Sequence, residues 1–176
     1  MKARALVPPA LVSIEEYLRS TYRPDCDYVD GEVLERNVGE RDHSRLQGEI
    51  YFYFRSRARE WNARAYPEQR VQVSAHRFRV PDLCVVLGDE PEEQVFTRPP
   101  FICIEILSPE DRQQRTQERV DDYLRFGVPH VWVIDPWTRR AWVYSADGAR
   151  EVKDGVLRTE NPVMEIPLAD LFDPKV

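Results

Sequence analysis

Two carboxylates stand where a buried strand should carry none. Asp82 follows Val80 and Pro81 at the head of the run DLCVV, and Glu105 sits between Ile104 and Ile106 in the run FICIEIL. An ionised carboxylate among Cys, Ile and Val is costly unless it is paired, hydrogen-bonded or bound to a metal. Two on neighbouring strands compound the cost, because like charges ~4 Å apart repel by roughly 4 kcal/mol at an effective dielectric of ~20. A divalent cation removes that conflict, so Asp82 and Glu105 read as a metal-binding pair. A hard cation such as Mg2+, with Mn2+ as a substitute, is held by one or two carboxylates, often with a backbone carbonyl, waters and phosphate oxygens. The carbonyl of Ile106 is the nearest such oxygen in the sequence. A cation there would acidify a bound water and polarise a phosphodiester, leaving positioning and charge neutralisation to the protein.

Arginines suited to that neutralisation follow closely. Arg112, Arg115 and Arg119 are spaced by three and then four residues, which puts them on one face of a helix as a basic ridge for a phosphodiester backbone. Each candidate also has a plainer explanation. Asp82 could cap a turn after Pro81, and Glu105 could pair with an arginine in the core. The three arginines could form a solvated face paired with Glu110, Asp111, Glu118, Asp121 and Asp122. His43 and Glu49 are the two residues of the preceding long helix that could point to a site, although His43 also suits a hydrogen-bonded place at the helix start. Trp132 and Trp142 fit strand packing better than base stacking.

The elements that must position these groups can be read from the pattern. Ser13 with Glu16 three residues on forms a capping box for a short helix over SIEEYL, ending near Tyr22. Asp30-Gly31 suits a tight turn, which predicts a hairpin over 26–38. Leu46, Ile50, Tyr53, Phe54 and Trp61 share one side of a helix over about 42–62, with Asp42 or Ser44 at its cap. AYPEQRVQVS and HRFRVPDLCVVL predict two strands joined near Ser74-Ala75, the second buried on both faces beyond Pro81. FICIEIL, a helix from about Ser108-Pro109 to Gly127, and VPHVWVID make a strand, helix and strand crossover, hence a parallel pair. RAWVYSADG and GVLRTE predict antiparallel strands turning at Asp147-Gly148 and Asp154-Gly155, and IPLADLF a closing turn or helix. The class is α/β or α+β, a mixed central sheet flanked by helices with a hairpin added at each end.

Bulk properties limit the options. The 176 residues, 42% hydrophobic, suffice for a single domain over 1–176. No apolar run spans a membrane, and MKARALVPPALVS is too short and Pro-broken for a signal peptide, so a soluble cytoplasmic protein is expected. Cys26, Cys84 and Cys103 show no CxxC spacing, which argues against disulfides or a zinc site. A net charge of −6 argues against indiscriminate coating of nucleic acid, though a local basic cleft remains compatible with it.

The PD of VPDLCVV, the glutamate of CIEILSP 23 positions later and DDYLRFGVPHVWVIDP after the helix together resemble the Uma-two family, within the PD-(D/E)XK nuclease superfamily. The likeness extends back to DYVDGE and HSRL and so covers about residues 13–137. It implies a restriction-endonuclease-like core that hydrolyses DNA with Mg2+ at Asp82 and Glu105, as a homodimer if both strands are cut. Of the further possible ligands Glu32, Glu49 and Glu68, the resemblance favours Glu32, which sits in the matching hairpin. The superfamily lysine two residues after the glutamate is replaced by Leu107, and the Uma-two lysine of the following helix by Arg119. Arginine stays protonated and cannot act as a base, but it can orient water or neutralise phosphate charge. That departure keeps a second reading open: a catalytically silent nuclease-fold protein that binds nucleic acid or a protein partner.

Overall fold

The computed structural model describes residues 11–36, 39–111 and 113–174. Helix α1, Ile14–Arg19, begins with the expected cap, the Glu16 N–H donating to Ser13 Oγ at 3.1 Å. It stops at Ser20, short of Tyr22, where the Ser20 hydroxyl turns back to the Glu16 carbonyl at 2.6 Å. The hairpin follows as β1, Asp27–Val29, and β2, Glu32–Leu34. Its turn has positive φ at both Asp30 (51°) and Gly31 (99°), the conformation that matches strand twist in a two-residue loop.

The long helix is broken into α2, Arg41–Ser56, and α3, Ala58–Trp61, with Asn62 left-handed at its end. Leu46, Ile50 and Phe54 face the core as the spacing predicts. The N-cap is Glu40, so Asp42 and Ser44 lie within the helix and neither is the cap.

The two strands expected next are four: β3, Ala63–Pro67; β4, Val71–Ser74; β5, Arg77–Arg79; and β6, Leu83–Leu87. Each predicted strand bends from one sheet into another, the first at Glu68, where φ is 50°, the second at Val80-Pro81. Proline has no N–H to donate to a ladder, so the second strand cannot run through in one sheet. β5 and β4 join the N-terminal hairpin in a four-stranded sheet ordered β2-β1-β5-β4. β6 enters a six-stranded sheet that also takes in β7, Ile102–Ile106; β8, His130–Asp135; β9, Arg140–Ser145; and β10, Gly148–Glu151. The order is β10-β9-β8-β7-β6-β3, and the sheet is mixed: β7 and β8 are parallel, as the crossover predicts, and the other pairs antiparallel.

Helix α4, Gln113–Phe126, makes that crossover and ends at Gly127, whose φ is 104°. Its expected first turn is a separate tight turn in which the Ser108 N–H donates to Asp111 Oδ2 at 2.6 Å. The expected hairpin at Asp147-Gly148 joins β9 to β10, but the next strand does not continue it: β11, Val156–Arg158, pairs with β12, Glu165–Pro167, in a separate sheet. Helix α5, Leu168–Phe172, closes the described chain.

Side-chain alternation divides the core. Leu83, Val85, Ile102, Ile104, Trp132 and Ile134 pack beneath α2, whereas Cys84, Cys103, Val131 and Val133 pack beneath Val120 and Tyr123 of α4. All three cysteines are free and buried. Among the described residues no helix is long and apolar enough to cross a membrane.

Candidate functional site: a buried acidic cluster with its own cations

Asp82 stands at the corner where the chain leaves the N-terminal sheet for the central one. Leu83 pairs with Ile104 and Cys84 with Cys103, so one step further back along the ladder Asp82 is set opposite Glu105. Directly opposed residues share a face, and here it is the α4 face, since Cys84 and Cys103 alternate with the pair. The convergence needed for a shared cation is therefore present. Asp82 is 3% and Glu105 2% exposed.

Both carboxylates are already engaged. Asp82 Oδ1 accepts from the Arg36 guanidinium and lies 3.3 Å from His43 Nε2, while Oδ2 accepts the Ile106 N–H at 2.7 Å. Its peptide carbonyl accepts from Gln47 Nε2 at 2.9 Å and from the Glu68 N–H at 3.1 Å, which fixes the corner. Glu105 Oε1 accepts the Tyr123 hydroxyl at 2.6 Å, and Oε2 accepts Arg119 Nη1 at 3.1 Å. The core-arginine alternative for Glu105 is thus what the structure contains, whereas Asp82 does not serve as a local turn cap.

The network continues away from the pair. Arg119 Nε donates to Asp27 Oδ2 at 3.0 Å, and the same oxygen accepts Arg79 Nη1 at 3.0 Å. Arg79 Nε reaches Asp122 at 2.8 Å, and Arg77 and Arg125 each meet Asp122 at 3.0 Å. Asp27, Arg36, Arg77, Arg79, Tyr123 and Arg125 are members that the sequence reading does not select, and Asp122 figures in it only as a surface partner of the arginine ridge. A signal existed for Arg79, a charge between Phe78 and Val80, of the same kind that marks Glu105.

Other sequence candidates fall elsewhere. Glu32 is exposed at the turn end of its hairpin, and Glu68 is exposed and contributes only its N–H. Glu49 is partly exposed on α2. Ile106 presents its N–H, not its carbonyl, to Asp82. The ridge also divides: Arg115 is exposed, Arg119 turns inward with its side chain 13% exposed, and Arg112 lies outside the described residues. Glu118 and Asp121 accept from Gln114 and Gln117 of their own helix.

Burial and charge pull against each other across the cluster. Burial opposes ionisation of Asp82, yet the His43 hydrogen bond, the Arg36 charge and the Ile106 N–H hold it below the usual aspartate range. Asp27 is likewise held down, burial being outweighed by Arg119, Arg79 and Arg36. For Glu105 burial wins: with the Asp82 charge adding to it and Arg119 opposing, the carboxyl is pushed up to about 7. Burial works against a charged His43, but the Asp82 contact leaves its pKa raised.

A divalent cation does not fit this arrangement. Both oxygens of Asp82 and both of Glu105 already accept hydrogen bonds from protein donors. Arg36, its side chain 8% exposed, adds positive charge felt by both acids. Among the described residues no three His, Cys, Asp or Glu side chains are grouped to hold a metal.

Comparison with known proteins supplies the family. The Uma2 family, described as "Putative restriction endonuclease", matches residues 14–171. No curated protein matches the chain. Among solved structures, the chain is similar to a "putative nuclease" from Anabaena variabilis ATCC 29413, with 24% identity and a TM-score of 0.78 over 92% of this chain and 97% of that one. At that identity the likeness establishes a shared fold. Because the family match runs from the first helix into the last, the chain belongs to the Uma2 family of restriction-endonuclease-like proteins.

Proposed function

We propose that the chain is a nuclease that cuts DNA, with Asp82 and Glu105 as the acids at its reaction centre. The observation that carries this reading is their convergence on one buried face under α4, in a chain of this family. Glu105, with a pKa near 7, is in the range where a carboxylate can take a proton from water at neutral pH. Arg119 holds Glu105 in place and offers fixed positive charge toward a phosphate; it cannot exchange protons. Mg2+ or Mn2+ could occupy the pair only once Arg36 has left Asp82. Cutting both strands of a duplex calls for two centres, which a homodimer would supply.

One observation favours a second reading, a nuclease-fold protein that binds nucleic acid or a protein partner without cutting. The acids are satisfied from within, and an arginine stands where the family pattern has lysine. A supercoiled-plasmid assay in Mg2+ or Mn2+ separates the two, run with the parent, Asp82→Ala and Glu105→Ala. Nicking by the parent that disappears in both variants supports the nuclease. Equal cutting by all three means a contaminant, and retained duplex binding without cutting supports the second reading.

A further inference from the structure

We infer that Arg36 is a built-in counter-cation that competes with divalent metal for the Asp82 and Glu105 pair. This rests on the proposed reaction centre but concerns its occupancy, not its turnover. Arg36 follows β2 and precedes α2 in the chain. Its guanidinium contacts Asp82, and its charge is felt by Glu105 and Asp27 as well, so it sits where a shared cation would act. The hold is incomplete. Among the described residues Arg36 Nε and His43 Nδ1, both buried, have no hydrogen-bond partner, unlike the fully engaged acids beside them. A buried donor left unpaired is unfavourable, so Arg36 is held at Asp82 with one of its own donors unsatisfied. A competing cation can therefore take its place.

Removing Arg36 leaves two buried carboxylates short of one positive charge, a deficit that a hard cation relieves. The test is Mn2+ binding to the full chain by calorimetry and electron paramagnetic resonance, for the parent, Arg36→Ala and the double variant Arg36→Ala with Asp82→Asn. Arg36→Ala is expected to bind one Mn2+ roughly tenfold or more tighter than the parent, and the double variant to lose that site. Equal affinity in the parent and Arg36→Ala overturns the inference, as does a gained site that survives the loss of Asp82. If Arg36→Ala does not fold, Arg36→Met keeps the apolar stem, and Mn2+ should then raise its melting temperature but not that of the parent. No rise in Arg36→Met also overturns the inference. A gained metal site without DNA cutting would leave Arg36's role standing and remove the nuclease; cutting with metal affinity indifferent to Arg36 would do the reverse.

Discussion

Arg119 and Asp27, 92 residues apart in the chain, are joined by a 3.0 Å bond from the guanidinium Nε to a carboxylate oxygen that also accepts from Arg79. The other arm of Arg119 holds Glu105. One side chain therefore ties the crossover helix to both the N-terminal hairpin and the central sheet. Truncating it takes one guanidinium from two buried acids at once, and breaking a buried pair by removing one partner typically costs about 3–5 kcal/mol. Arg119→Ala is expected to lose stability in that range, read from the urea midpoint.

Arg119→Lys separates structure from chemistry. A single ammonium cannot reproduce the fork to Glu105 and Asp27, so this variant should also be less stable than the parent, though less so than Arg119→Ala. If the chain is a nuclease, restoring the family's lysine should raise plasmid cutting despite the lower stability. A binding protein would stay silent.

Tyr123→Phe removes the donor from Glu105 Oε1 and leaves a buried carboxylate oxygen unsatisfied. Such an atom costs about 1–3 kcal/mol. The hydroxyl also favours the charged form of Glu105, so its removal should push the Glu105 pKa above its value of about 7. A 13C titration of the Glu105 carboxyl would show an unchanged midpoint if the hydroxyl played no part.

The pH dependence of stability follows from the opposed directions in the cluster. Glu105 has a folded pKa of about 7, above its ordinary 4.5, so the folded state binds more protons between these values and stability falls as pH rises through them. The loss from this group is on the order of 3 kcal/mol. His43, also raised, adds a loss of the same sign at the alkaline end. Asp82 and Asp27, held below the usual aspartate range, contribute stability that is lost as pH falls beneath that range. Denaturation midpoints measured from pH 3 to 8 should therefore peak on the acid side of neutrality. Glu105→Gln should flatten the decline on the alkaline side and leave the acid limb in place; an unaltered decline would remove Glu105 as its source.

Asp122 is nearly inaccessible and accepts from Arg77, Arg79 and Arg125. Asp122→Asn should destabilise by about 3 kcal/mol or more, since it leaves the buried Arg79 with Asp27 as its remaining anionic partner. Arg125, with its side chain 70% exposed, can turn to water, so Arg125→Ala should change stability by less than about 1 kcal/mol.

Much of this protein was legible along the chain because the relevant physics is local. Ser13 and Glu16 close a cap three residues apart, Asp30-Gly31 takes the positive φ values of a tight turn, and Leu46, Ile50 and Phe54 repeat at helical spacing. The parallel crossover follows from an apolar run, a helix and another apolar run, and a carboxylate inside each of two such runs marked Asp82 and Glu105 as needing partners. Which partners they found was decided only in three dimensions. Asp82 meets an arginine 46 residues earlier, and Asp27 receives arginines 52 and 92 residues later, separations over which no sequence period operates. Pro81 turns the chain between sheets, and that corner brings Arg36, His43 and Gln47 onto Asp82. A charge pattern states how much neutralisation a buried acid requires; only packing determines whether a metal or a guanidinium supplies it.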